Sequence, residues 1–431
     1  MKKFSLHFSC SLLTTLIFLV FLNPEIIHAQ FVKGADIGWL QQMEATGYKF
    51  YDSTGMQKDC MQILKDHGIN TVRLRVFVNP SDDRINGHCS KKEAAAMAVR
   101  AKNMGMRVLI DFHYSDSWAD PGKQNKPAAW ANDTFSQLLT DLYNHTYNVL
   151  DTLKSIGATP DWVQVGNEIT WGMLWPDGST NNWQQLAQLL NKGYDATKAV
   201  DSTIRVIIHL DQGNDNSRFR TFFDNAATFG VRYDIIGASY YPYWLGTDYS
   251  VTINDLGNNL NDMASRYGKD VMVVEVGGDY TKVQNTYDML VAVLAKVKAV
   301  PAGKGLGVIY WEPEGEKSWS GYQLSCWGTD GKPTAAMNAF LNKLTGINTH
   351  TNGPAIFIYP NPFYGGRLNV ELNGLTGMSE LRIYNVSGKI MNCLTINNQP
   401  KTSFNLNLLP GIYFVNVNNS GRELFEKLMV N

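Results

Sequence analysis

Two glutamates stand where apolar runs of this sequence give out. The first closes Pro160-Asp161-Trp162-Val163-Gln164-Val165-Gly166-Asn167-Glu168, and the second lies in Asp270-Val271-Met272-Val273-Val274-Glu275-Val276-Gly277-Gly278. An unpaired carboxylate inside an apolar core is very costly, so each is expected at a strand end facing a cleft. Two such groups brought together supply what glycosidic bond cleavage needs. One acid protonates the leaving oxygen, and one carboxylate attacks the anomeric carbon. Glu168 suits the acid/base role, with Asn167 beside it to hydrogen-bond the sugar 2-hydroxyl. Glu275 suits the nucleophile, with Tyr241, Arg73 and Arg75 as candidates to hold it ionised. Nearby carboxylates push their pKa values apart, so one stays protonated while the other carries charge. A lone strand-end glutamate reads more readily as an ion-pair partner or a helix N-terminal charge. The Asn-Glu pair with a second glutamate is the more specific signal.

Positioning two such groups takes a scaffold. Short apolar runs alternate with Ala/Leu-rich helical stretches from about residue 32 to 345. The runs are Val32–Gly38, Thr71–Val78, Arg107–His113, Trp162–Glu168, Ile204–Leu210, Ile235–Tyr241, Val271–Val276 and Gly307–Trp311. Helices are expected over Lys91–Asn103, Thr134–Ser155, Trp183–Val200, Ile253–Tyr267 and Thr286–Val300. Continuous apolar strands alternating with helices imply a parallel sheet. Eight units of this length fit one (β/α)8 TIM barrel, with a doubly wound open sheet as the alternative. A barrel gathers function at the C-terminal strand ends. Those ends read Asp36; Arg73 and Arg75; Asp111 and His113; Asn167 and Glu168; His209 and Asp211; Tyr240 and Tyr241; Glu275; Trp311 and Glu312. The fourth and seventh strands face each other across the mouth, where carboxylates about 5–5.5 Å apart go with retention of anomeric configuration. Trp118, in the Asp111–Gly122 segment, reads as a stacking face. Trp311 reads as the floor under the sugar at the cleavage point, or as a core plug.

After Thr345 the pattern changes. Ile347-Asn348-Thr349-His350-Thr351-Asn352-Gly353-Pro354 is polar, and a linker over 346–355 follows from it. Beyond it, short alternating strands such as Arg367–Leu372, Leu381–Asn385 and Gly411–Val417 predict a small all-β sandwich over 356–431. At the other end, Lys2 and Lys3 precede an apolar stretch from Leu12 to Leu22, and Ile27-His28-Ala29 offers a cleavage site before Gln30. That is a signal peptide over 1–29, and it implies export. The catalytic domain then spans 30–345.

Composition narrows the partners. The 431 residues carry a formal net charge of -1 and no basic run, so nucleic acid is not expected. Cys60, Cys89, Cys326 and Cys393 remain after the signal. They form no C-x-x-C, and pairing of Cys60 with Cys89 stays open. Asp111, His113 and Asp116 have ligating side chains, but no second cluster supports a metal. There is no G-x-S-x-G elbow and no P-loop. Gly303-Lys304-Gly305-Leu306-Gly307 precedes a strand instead of following one, which fails the context for dinucleotide binding. No cofactor is expected for the chemistry.

The motifs Gly34-Ala35-Asp36, Gly47-Tyr48, Arg73-Leu74-Arg75-Val76-Phe77-Val78-Asn79-Pro80, Asp111–Gly122, Val165-Gly166-Asn167-Glu168-Ile169, His209-Leu210-Asp211, Ser239-Tyr240-Tyr241-Pro242 and Tyr310-Trp311-Glu312-Pro313 resemble glycoside hydrolase family 53, over about 32–345. The resemblance implies a retaining endo-β-1,4-galactanase acting on type I arabinogalactan. It implies Glu168 as acid/base and Glu275 as nucleophile. Asp36, Arg73, Arg75, Asp111, His113, Trp118, Asn167, His209, Tyr241 and Trp311 are then the residues around the sugar. Some bacterial relatives carry a structural calcium in a late loop, and no such site is legible here. Trp39, and Val276-Gly277-Gly278-Asp279-Tyr280, depart from the pattern and bear on subsite number or product length. Tyr359-Pro360-Asn361-Pro362, Ile383-Tyr384-Asn385-Val386-Ser387-Gly388-Lys389 and Leu408-Leu409-Pro410-Gly411-Ile412-Tyr413-Phe414-Val415 resemble a type IX secretion sorting domain. That resemblance implies outer-membrane export machinery as a partner and the surface or medium of a Gram-negative bacterium as destination. A carbohydrate-binding module is the rival for this domain, but no Trp follows Trp327. The expected enzyme is a monomer. Its rivals are a relative acting on β-mannan or β-glucan, and a glycan-binding protein on an inactive barrel.

Overall fold

The computed structural model describes residues 30–341, 355–397, 399 and 401–430. The signal segment assigned to 1–29 lies outside them. So does the linker, except that Ala355 already begins a strand.

Eight parallel strands close into a barrel: β1 Val32–Asp36, β2 Thr71–Val76, β3 Arg107–Phe112, β4 Trp162–Val165, β5 Arg205–Leu210, β6 Ile235–Tyr240, β7 Asp270–Val276 and β8 Gly305–Trp311. The order around the barrel is β1-β8-β7-β6-β5-β4-β3-β2, with β1 bonded to both β2 and β8. Closure excludes the open doubly wound alternative. Each expected run holds its strand, with ends shifted by one to three residues. Expected and observed helices agree at Lys91–Asn103 and Trp183–Val200. The helix expected from Ile253 begins earlier, at Tyr249, because Asp248 caps it by accepting from Ser250 N. A two-strand hairpin, Gly172–Met173 with Gly178–Ser179, follows β4.

The barrel interior is built in layers. Near the N-terminal end, Val32, Leu109, Trp162, Ile207, Ile235, Met272, Val274 and Ile309 pack as one apolar cluster. Side chains alternate along a strand, so the next inward position up from Leu109 is Asp111 and then His113. The same period lifts Thr71 to Arg73 and Arg75, Trp162 to Gln164, and Ile207 to His209. A polar layer therefore sits on the apolar plug, at the C-terminal mouth.

β7 breaks the period. Ala238 and Ser239 are adjacent on β6, yet they pair with Val273 and Glu275, so one residue of β7 is extra. The β8 side slips at the same place. Without this bulge Glu275 would share the outward face of Val273. With it, Glu275 turns into the mouth, as bulges beside active sites do.

The C-terminal region is all antiparallel. A three-stranded sheet orders β9 Ala355–Tyr359, β10 Gly366–Asn373 and β13 Lys401–Leu406. A four-stranded sheet orders β12 Ile390–Asn397, β11 Met378–Asn385, β14 Gly411–Asn419 and β15 Arg422–Val430. Leu368 and Val370 from the first sheet share a core with Leu381, Ile383, Val415 and Leu428 from the second.

Candidate active site

Arg73 is the hub of the mouth. Its side chain is fully buried and lies 2.6 Å from Asp36, 2.9 Å from Asp111 and 3.0 Å from Glu275. It also donates to Asn167 Oδ1 at 2.9 Å. Burial alone would disfavour the guanidinium charge, but the three carboxylates more than offset it and keep Arg73 cationic. Arg75 pairs with Asp36 at 3.3 Å and also with Glu312. Asp36 thus ties both arginines together.

Glu275 is held from two sides. Arg73 meets Oε1, and the Tyr241 hydroxyl donates to Oε2 at 3.0 Å. Burial pushes Glu275 up to about 7, with Asp36 and Asp111 adding to the rise and Arg73 and Tyr241 opposing it. Glu168 has a different setting. The chain leaves β4 through Gly166 at φ 83°, and Glu168 itself has φ 46°. A left-handed conformation in a residue with a side chain costs on the order of 1–3 kcal/mol, and the surrounding network must hold it. Glu168 Oε1 accepts from Ser239 Oγ at 2.6 Å. Burial first, and then the Glu275 charge, push Glu168 well above the ordinary carboxylate range. Its immediate partners include no cation, whereas Glu275 has one at 3.0 Å.

A hydrogen-bonded chain supports Glu168. His209 Nε2 lies 2.8 Å from Ser239 Oγ, and its Nδ1 lies 3.3 Å from the Glu168 amide and 3.0 Å from Gln164 Nε2. Nδ1 also lies 3.1 Å from Asn167 Oδ1, but Ser239 spends its one proton on Glu168, so the contact to Nε2 assigns the ring proton to Nε2. Burial, and then the charge of Arg73, hold the His209 pKa well below its usual value, so the ring stays neutral. The serine accepts from His209 and donates to Glu168.

The remaining expected residues are also in the mouth. Asn167 donates to Ala119 O at 2.8 Å. Asp111 lies 3.0 Å from His113 Nε2, and His113 Nδ1 accepts from Ala119 N at 3.0 Å. Asp111 is raised by burial, but Arg73 and His113 outweigh that and leave it below its ordinary value. Trp311 is half-buried, with ring centroids 5.1 Å from Trp39 and 4.7 Å from Tyr322. Trp118 belongs to the same aromatic wall, 5.7 Å from Trp311. The Arg75 guanidinium lies 4.3 Å from its ring centroid, so one face of the indole is covered by protein.

Two positions, Gln164 and Ser239, escaped the sequence reading as site residues. Gln164 donates to Asp111 at 2.6 Å and contacts His209, which makes it a spacer between the two. Its signal was present: a polar residue at an inward position of an apolar strand. Ser239, small and only weakly polar, stood out less. The pairing of Cys60 with Cys89 is not made: both thiols are buried and free. Asp116 is committed to the backbone amides of Asn79 at 2.9 Å and Ala128 at 2.8 Å, so it does not join Asp111 and His113 as a ligand. Among the described residues no group of three or more His, Cys, Asp or Glu side chains fits a metal ion.

A closed (β/α)8 barrel with two unlike carboxylates at its mouth defines a glycosidase of the barrel class. Residues 32–346 match the model of glycosyl hydrolase family 53. The chain belongs to that family. Residues 357–431 match the model of a secretion system C-terminal sorting domain. A probable arabinogalactan endo-β-1,4-galactanase A of Aspergillus terreus is 35% identical over 327 residues, covering 71% of this chain and 91% of that one. An endo-β-1,4-galactanase of Bacillus subtilis is 35% identical over 314 residues, covering 67% of this chain and 71% of that one. The solved Ignisphaera aggregans family 53 catalytic domain superposes with a TM-score of 0.68 at 33% identity, covering 72% of this chain and 95% of that one.

Proposed function

We propose that this chain is an exported endo-β-1,4-galactanase that cleaves the galactan of type I arabinogalactan with retention. Glu275 attacks the anomeric carbon while Glu168 delivers its proton to the leaving oxygen. The bond to the leaving chain breaks as the bond to Glu275 forms. Glu168, now ionised, takes a proton from water. The hydroxide attacks the anomeric carbon and releases Glu275. The observation that carries this reading is the unequal environment of the pair. Glu275 is held by a guanidinium and a phenol, both of which favour its anion. Glu168 meets one neutral serine, whose donated bond only partly offsets burial and the Glu275 charge, so its acid form is favoured.

Asn167, fixed by Arg73 and Ala119, is the donor for the sugar 2-hydroxyl. Asp36, Arg75, Asp111, His113 and His209 set the shape and charge of the floor, and Trp118 and Trp311 form its aromatic wall. The chemistry uses no cofactor, and the enzyme acts as a monomer. The mature chain begins at Gln30, with a catalytic domain to 345, a linker over 346–355 and a sorting domain from 356. The sorting domain brings the enzyme to export machinery and to the surface or surroundings of a Gram-negative cell. Galactan as substrate is supported by the named activities of the family relatives.

Reducing-sugar release from pectic galactan, with mannan and carboxymethylcellulose as controls, tests the reading. Release from galactan alone is expected. A well-folded protein that releases nothing from galactan overturns the proposal.

A further inference from the structure

Trp171 lies three residues beyond Glu168, and 53% of its surface is exposed. Singly exposed apolar residues are common, so exposure alone says little. Two further features set this one apart, its position and its support.

The position follows from the chemistry. An acid that protonates the leaving oxygen stands on the side from which the leaving chain departs. Residues just beyond Glu168 on the same loop therefore border the path of the leaving sugars. Tyr241 follows β6, and most other aromatics of the mouth gather around Trp39: Trp311 at the end of β8, Trp319 and Tyr322 beyond it, and Trp118 after β3. Trp171 is on the acid's own loop.

The support is rigid. The Trp171 carbonyl accepts from Thr180 N at 3.1 Å and from Trp175 Nε1 at 3.0 Å. Gly172 then opens the hairpin, at φ 92°, with its Cα so close to the facing strand that a Cβ would stand 2.0 Å from Gly178 O. Arg218 lies 5.9 Å from the indole centroid and 2.6 Å from Asp211, and Asp211 accepts from Thr170. The backbone that carries the ring is fixed before any ligand arrives, which lowers the ordering cost of binding. A galactosyl unit suits such a surface. Its axial 4-hydroxyl leaves one face of the ring with contiguous C–H groups at C3, C4 and C5. That face stacks on an aromatic ring while hydroxyls at the edge take hydrogen bonds.

We propose that Trp171, with Arg218 beside it, forms a binding subsite for a galactosyl unit of the leaving chain. This rests on the galactanase reading above.

The test compares full-length wild type, Trp171→Ala and Trp171→Phe on two substrates. β-1,4-Galactan fills the leaving-group side. Galactobiosyl fluoride leaves it empty, because its leaving group is a single atom. The ratio of kcat/KM on galactan to kcat/KM on the fluoride is expected to fall about tenfold in Trp171→Ala, the size of one aromatic stacking contact. Trp171→Phe is expected to stay within about threefold of wild type, because a stacking ring remains. An unchanged ratio in Trp171→Ala, with galactan still cleaved by wild type, overturns the subsite. So does an equal loss on both substrates. Wild type without activity on galactan overturns the functional reading, and this proposal with it.

Discussion

The Arg73 guanidinium meets Glu275 Oε1 at 3.0 Å inside the barrel, with the arginine side chain fully buried. The same group faces Asp36 and Asp111, so one cation serves three carboxylates. Removing one partner of a buried ion pair leaves charge without compensation, at about 3–5 kcal/mol. Arg73→Met is therefore expected to lose about that much stability, read by denaturant unfolding. Hydrolysis is expected to fall as well, because Glu275 loses the charge that favours its anion. A variant within about 1 kcal/mol of wild type would show that the carboxylates do not depend on Arg73.

Glu168 is needed as an acid only where the leaving group must be protonated. Glu168→Gln is expected to lower kcat on galactan by roughly 10²–10⁴-fold. Galactobiosyl fluoride needs far less protonation to depart, so the formation of its enzyme adduct is expected to suffer much less. Equal losses in that step on both substrates would assign Glu168 a role other than acid catalysis.

The pH profile follows from the same two groups. Activity requires Glu275 ionised and Glu168 protonated. The folded protein raises Glu275 to about 7, so kcat/KM is expected to climb as pH rises through that region. Glu168 is raised further above its ordinary value, and kcat/KM is expected to fall at higher pH as it ionises. A rate profile at full activity near pH 4 would contradict the raised Glu275.

Ser239 donates to Glu168 at 2.6 Å, a contact that favours the ionised form of the acid. Ser239→Ala removes it and raises the Glu168 pKa further. The alkaline limb of the profile is expected to move to higher pH, with kcat reduced about three- to tenfold through poorer positioning of the acid. An alkaline limb that stays in place would separate Ser239 from the proton on Glu168.

How far this was readable in the sequence depends on the residue. Glu168 and Asn167 were legible because β4 runs apolar and then stops. Arg73 and Arg75 were legible because charged residues two apart on a buried strand share the inward face. Glu275 was legible by type and place, but not by orientation. The alternation starting from Met272 and Val274 points it outward, and only the bulge, set by pairing with β6 and β8, turns it in. Ser239 looked like any small residue in a strand. Its role arises from His209 and Glu168, 30 and 71 positions away in sequence. The aromatic wall was visible as scattered tryptophans. Its closed packing around Arg75 depends on the ends of β1, β3 and β8 meeting, which no local pattern encodes.

The central claim is that Glu275 is the nucleophile. Incubation with 2-deoxy-2-fluoro-galactobiosyl fluoride tests it, because the 2-fluoro group slows breakdown of a covalent intermediate more than its formation. Peptide mapping by mass is expected to find the added disaccharide on the peptide holding Glu275, and no such adduct in Glu275→Ala. A label on Glu168, or turnover of galactan that releases the α-anomer with no covalent adduct, would contradict the account.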